Sequence, residues 1–384
     1  MPYDPRDLQP ATALRASYEP DAAPYAFPAT NLYEAEAWQK PTREALSHTL
    51  GFQDSPPVDP DPERIELVDK GTYTREKILM RTAPHTSMPV YLLRPKREPA
   101  GEAGAAPSEA RGMGTGASAG VQRAGPAVTM PGGPGFPVVL ALHGHGYGVK
   151  DIVGLWEDGS ERDTPDGYHR DFGVALCRQG FAVAAPEISC FGERRTNYDY
   201  LDTGLGSPVP TTCEQTAALA THQGGSVAGL RVRDARRLVD YLEGLPDFDT
   251  GRLGAMGISG GGMHTLFSTC LDTRIRAAVI SGYFSTFRDS ILAMHHCPCN
   301  FVHGLGAFGE MADLTGLIAP RPLFVEAGDH DPIFPLQAVR EGLDRAAGVY
   351  DVFGAGDRLE HEIFEGRHRI DGPAAYAFLK RVLS

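Results

Sequence analysis

The sequence predicts an α/β protein: a doubly wound, mostly parallel sheet flanked by helices, with an N-terminal helical arm. Three observations carry this. From residue 137 onward, short continuous apolar runs alternate with longer amphipathic stretches, the pattern of buried parallel strands joined by crossover helices. Two earlier runs alternate apolar with polar residues, as half-buried strands do. The 384 residues are 42% hydrophobic and 22% charged, enough to build a sizeable core. Length alone allows two to three domains at about 150 residues each. The unbroken alternation instead assigns 61–384 to one domain and 1–60 to an arm and its helix.

In chain order, residues 1–28 are polar and Pro-rich and read as an arm. Residues 29–50 read as a helix, with Thr30 and Asn31 able to cap its start and Gly51 its end. Pro41, inside it, is expected to split or kink it. Residues 54–63 are a linker, and 64–82 and 88–94 are the two alternating runs. The stretch 97–136 contains 10 Gly, 9 Ala, 5 Pro and 2 Ser. It cannot bury enough surface to offset its ordering entropy, and reads as a flexible loop insertion. Strands are expected at 137–144, 181–187, 252–258, 275–281, 322–328 and 360–366. Helices are expected at 171–180, 211–243 (broken near Gly224–Gly225), 260–271, 335–347 and 372–383, with an irregular excursion over 282–319.

The net charge of −13 argues against nucleic acid and anionic membranes as partners. No apolar run approaches the ~18 residues of a membrane span. The first twenty residues hold no apolar secretory core. Six Cys in 384 residues are too sparse for a disulfide scaffold and read as reduced, buried thiols in a cytoplasmic protein.

Two serines match G-x-S-x-G, Ser118 and Ser259. Chance alone gives about 0.2 matches in this composition, so context decides between them. Ser118 lies in the Gly/Ala tract with no strand before it. Ser259 ends the apolar run 252–258 and opens an amphipathic helix, the strand–turn–helix setting of a nucleophile elbow. A serine nucleophile needs a base, and the base an orienting acid. Strand 322–328 runs into Asp329-His330-Asp331-Pro332. Asp331 is preferred as the acid and Asp329 read as a turn residue. His368, just past the last strand, is preferred as the base over His361 within that strand and His330 beside the acid. Oxyanion donors are expected from the Gly260 amide, next after the nucleophile, and from the His145 amide in His143-Gly144-His145-Gly146. His143 reads as a structural hydrogen-bonder.

HGHG (143–146), GISGGG (257–262), GDHDPIFP (328–335) and EGRH (365–368) together resemble the α/β-hydrolase superfamily. PEISCFGERR (186–195) and CPCN (297–300) make the chain similar to its dienelactone-hydrolase-like and acetyl-xylan-esterase-like branch. The resemblance implies a cofactor-free Ser259–His368–Asp331 esterase acting on a small ester. There are departures. Dienelactone hydrolases use a Cys nucleophile, and glucuronoyl esterases carry an Arg where this chain has Gly260. A peptidase or amidase on the same triad is the alternative activity. A binding module on a hydrolase scaffold is disfavoured by the intact triad residues.

Three further features are read plainly. His295-His296-Cys297-Pro298-Cys299, with His303, is too compact for the spaced ligand pairs of structural zinc sites and reads as a loop near the pocket, so no metal is expected. Glu193-Arg194-Arg195 reads as a structural ion pair rather than an anion contact. Tyr147 and Trp156 either line the pocket or pack beside it. The arm could pack on a second copy of the chain.

Overall fold

The strands pair into one nine-stranded sheet, in the order β1-β2-β3-β5-β4-β6-β7-β8-β9. The structure is a computed structural model and describes residues 4–97, 135–196 and 212–384. Residues 98–134 of the Gly/Ala-rich stretch, Ser118 included, lie outside the described residues.

β1 (Glu63–Asp69), β2 (Tyr73–Ala83) and β3 (Thr86–Pro95) form an antiparallel meander. The run 64–82, expected as one strand, is thus two. The chain reverses at Gly71, whose φ of +78° suits a residue without Cβ and whose N–H is held by Asp69 Oδ1 at 2.8 Å. β4 (Phe136–Leu142), β5 (Ala182–Pro186), β6 (Phe248–Ile258), β7 (Ala277–Ser281), β8 (Leu323–Gly328) and β9 (Leu359–Phe364) are parallel to one another. β3 joins this block antiparallel to β5.

The helices are α1 (Pro10–Ala16), α2 (Leu32–Leu50), α3 (Phe172–Arg178), α4 (Thr212–His222), α5 (Val227–Leu242), α6 (Gly260–Leu271), α7 (Met311–Leu314), α8 (Leu336–Val352) and α9 (Pro373–Val382). Side-chain period two sorts them onto the sheet faces. Val139 and Ala141 of β4 pack with α3 and α9, whereas Val138, Leu140 and Leu142 pack with α5. α6 and α8 share that second face with α2. Burying a side chain such as Phe267 of α6 contributes about 1.5–3 kcal/mol.

α2 runs through Pro41 without splitting. The proline is on the exposed side, and so is Ala37, whose carbonyl loses its donor and can turn to water. Asn31 Oδ1 caps the helix by accepting from Glu34 N at 3.1 Å, and Glu34 Oε2 accepts in return from Thr30 N at 2.9 Å. The arm packs on its own chain. Tyr25 N donates to Ala307 O at 2.8 Å, Phe27 N to Asp313 Oδ1 at 3.0 Å, and Tyr25 stacks on Phe308.

Candidate active site

Ser259 sits where β6 turns into α6. It holds φ +57° and ψ −122°, a conformation that costs a non-glycine residue about 1–3 kcal/mol. Its N–H donates to Ser281 O of β7 at 3.0 Å. The turn is so tight that a Cβ on Gly261 would lie 1.8 Å from Leu142 O of β4. Gly is therefore required for α6 to start against the sheet. Gly260 is the first residue of α6, so its amide has no partner within the helix.

Asp331 and His368 come from the loops after β8 and β9. The two loops are tied together: His330 N donates to Gly366 O at 2.8 Å, and Gly366 N to Asp329 Oδ1 at 2.9 Å. That pairing sets Asp331 Oδ2 2.6 Å from His368 Nδ1. The other oxygen, Oδ1, accepts from Ile333 N at 2.9 Å and Phe334 N at 3.2 Å. Phe334 and Tyr168 lie against the His368 ring at centroid distances of 5.8 and 5.3 Å. His368 Nε2 is buried with no hydrogen-bond partner, and His368 lines a cavity of about 250 Å³ together with Ser259, Gly260 and His145. Thus Ser259, Gly260, His145 and His368 share one cavity, with Asp331 behind the histidine. Asp329 is occupied in joining the loops, His330 is 72% exposed, and His361 stays on β9.

A buried relay, absent from the sequence reading, supports the 143–146 loop. Arg162 Nη1 donates to Asp151 Oδ1 at 3.1 Å, and Asp151 Oδ2 lies 2.7 Å from His169 Nδ1. His169 Nε2 accepts from Gly144 N at 2.8 Å. Accepting there requires a neutral imidazole, and burial lowers the His169 pKa in that direction. Tyr168 OH donates to the His145 carbonyl at 2.5 Å and also lies within hydrogen-bond reach of Ser259. Among the described residues no hydrogen bond uses the His145 amide. Burial opposes charge on the His145 imidazole, but hydrogen bonding to Cys297 and Cys299 outweighs it and raises the group to about 9. None of Asp151, Tyr168 and His169 lies in a motif. Their one sequence signal is a Tyr-His pair following the 143–146 loop.

The secondary features resolve. His143 is a structural hydrogen-bonder: its Nδ1 lies 2.8 Å from Gly144 O, and its Nε2 accepts from Ile188 N, 45 residues on, at 3.2 Å. Arg194 pairs with buried Asp234 at 2.7 Å, a structural ion pair. Tyr147 and Trp156 are not among the residues lining the cavity. Trp156 instead lies under the Arg162 guanidinium. His295, His296, Cys297 and Asn300 do line it.

Six parallel strands with crossover helices on both faces, and a strained serine at the C-terminal end of a central one, give this chain the α/β-hydrolase fold. Solved structures bear out that fold. A "putative acetyl xylan esterase" of Bacteroides fragilis NCTC 9343 is 15% identical with a TM-score of 0.69, over 98% of this chain and 94% of its own. A glucuronoyl esterase from Solibacter usitatus is 17% identical with a TM-score of 0.59, over 92% of this chain and 94% of its own. At these identities the likeness is one of fold. By sequence the chain is 25% identical over 230 residues to "Putative hydrolase YtaP" of Bacillus subtilis (strain 168), covering 58% of this chain and 69% of that protein. No family model matches the chain. Among the described residues no helix is long and apolar enough to cross a membrane.

Proposed function

We propose that the protein is a serine carboxylic-ester hydrolase acting on short-chain, acetyl-type esters. The observation that carries this reading is the His368 imidazole. Its Nδ1 is held by Asp331 at 2.6 Å, while its Nε2 has no hydrogen-bond partner and the residue lines the same cavity as Ser259. In that tautomer Nδ1 donates to the carboxylate and Nε2 is an acceptor, ready for a serine proton.

Ser259 Oγ attacks the ester carbonyl carbon as its proton passes to His368 Nε2. The carbonyl π electrons move to oxygen, and the amides of Gly260 and His145 receive the oxyanion. Each such donor is worth about 10²–10³-fold in rate. Collapse expels the alcohol, which takes the proton from His368, and leaves acyl-Ser259. Water, deprotonated by His368, then attacks the acyl-enzyme and restores the serine. The small cavity, walled by Tyr283, Ile333 and Phe334, supports a short acyl group. The similarity in fold to an acetyl xylan esterase and a glucuronoyl esterase supports ester chemistry. The sparse cysteine content, six in 384 residues, supports a cytoplasmic setting.

Purified protein and its Ser259→Ala variant, assayed on p-nitrophenyl acetate, butyrate and octanoate and on a chromogenic anilide, test the proposal. Wild type should prefer acetate and leave the anilide uncleaved. Equal background rates for wild type and variant on every ester would sink it. Loss of activity in Ser118→Ala but not Ser259→Ala would move the nucleophile.

A further inference from the structure

Beside the catalytic cavity, sulfur and nitrogen donors from distant parts of the chain converge. His145 comes from the loop after β4, and Cys297 and Cys299 from the turn 297–300. The donor atoms of these three residues all lie within 4.8 Å of one another. His145 Nε2 is 3.5 Å from Cys299 Sγ. A tetrahedral zinc ion with Zn–S near 2.3 Å and Zn–N near 2.0 Å puts nitrogen and sulfur about 3.6 Å apart and two sulfurs about 3.8 Å apart. Cys213, at the start of α4, stands within hydrogen-bond reach of both cysteine sulfurs. The sequence pattern 295–303 hid this grouping, because its nitrogen ligand lies 154 residues before Cys299.

A second, independent observation concerns charge. Arg231 of α5 is fully buried beside Cys299 and Cys213. Its Nη2 donates to Ser189 O at 3.2 Å and Cys213 Sγ at 3.9 Å, but its Nε and Nη1 have no partner. Among the described residues no carboxylate forms an ion pair with it. A buried guanidinium stays protonated and calls for negative charge nearby. Its unpartnered Nε and Nη1 therefore leave an unsatisfied buried polar group beside the Cys299 and Cys213 sulfurs. Metal-bound sulfurs still accept N–H bonds, which the unpartnered Nε and Nη1 of Arg231 can supply.

We propose that His145, Cys297 and Cys299 bind a thiophilic divalent cation of the zinc type in the wall of the catalytic cavity, with the fourth coordination position facing that cavity. His145 and Cys297 both line it. Because the His145 amide belongs to the candidate oxyanion site, metal occupancy is coupled to the geometry of that site.

The test reads metal rather than turnover, so it is independent of the esterase reading. Full-length protein, stripped with chelator under reducing conditions, is titrated with Zn²⁺ by calorimetry and with Cd²⁺ by thiolate-to-metal absorption. One equivalent should bind. Cys297→Ser should weaken binding by more than the roughly 10–100-fold that losing even an outer partner costs. Cys270→Ser, a buried thiol outside the cluster, should bind as wild type does. In the wild type, with no variant needed, Zn²⁺ should protect Cys297 and Cys299 from iodoacetamide, read by mass spectrometry. Sub-stoichiometric binding, binding unchanged in Cys297→Ser, or alkylation unaffected by Zn²⁺ would each overturn the proposal.

Discussion

Replacing Asp331 with Asn tests whether this carboxylate sets the tautomer of His368. Asp331 Oδ1 accepts two backbone N–H bonds, from Ile333 and Phe334, and Oδ2 faces His368 Nδ1. In Asp331→Asn the amide has one acceptor oxygen and one NH₂. Pointing NH₂ at the two backbone donors would leave both unpaired, at about 1–3 kcal/mol each. The amide oxygen therefore stays on the backbone side, and NH₂ is aimed at His368 Nδ1. His368 must then accept at Nδ1 and carry its proton on Nε2, the wrong state for a base. Phe334 and Tyr168, packed on the ring, resist its turning over. This reversal in a serine triad costs about 10⁴-fold in kcat, or roughly 5.5 kcal/mol. The assay is kcat and KM on p-nitrophenyl acetate near pH 7.5, with melting temperature as the check on folding. Asp329→Asn is the control. Asp329 accepts one bond from Gly366 N, which an Asn oxygen also accepts, so its loss should stay within about tenfold. A folded Asp331→Asn within tenfold of wild type, with Asp329→Asn inactive, would refute the reasoning and move the acid.

Other outcomes follow from the same geometry. Tyr168→Phe removes the bond to the His145 carbonyl; kcat should fall about 3–10-fold with KM little changed, since positioning rather than binding is lost. Gly261→Ala, whose Cβ would meet Leu142 O at 1.8 Å, should prevent folding, whereas Gly348→Ala, with open space in exposed α8, should raise stability by about 0.5–1 kcal/mol, both read by denaturant titration. Burial, with Arg231 beside it, holds His264 at about 3. Unfolded, it titrates near 6.5, so the unfolded chain binds the extra proton between these values. Its contribution is complete above pH ~6.5 and falls by about 1.4 kcal/mol per pH unit as pH drops toward 3. His264→Gln, which keeps a donor for Arg231 O, should flatten the stability slope between pH 6.5 and 5; an unchanged slope would remove His264 as its cause.

The strands of the parallel block were readable because each must be apolar on both faces, a local and continuous signal. The break at Gly71 was not, because a two-sided alternation continues across 64–82 and only the pairing partner distinguishes one long strand from two short ones. That Pro41 would not split α2 was hidden for a related reason. Its cost depends on whether the freed carbonyl meets water, and the orientation of α2 on the body decides that. Tyr168, His169 and Asp151 carry no motif. They matter because the excursion after β4 folds back under the His-Gly loop, an arrangement made by contacts up to 25 residues apart.

The sequence by itself determined the α/β architecture, the order of its elements and the candidate Ser259, Asp331 and His368, because elbow, acid and base each sit at a strand end that local periodicity marks. Only the tertiary structure decided that Asp329 ties two loops while Asp331 reaches His368, that a buried relay from Arg162 holds the 143–146 loop, and that His145 meets Cys297 and Cys299. The physical reason is that these are contacts between chain segments tens to more than a hundred residues apart. Distance along the chain says nothing about which side chains meet until the sheet has brought its strand ends to a common edge.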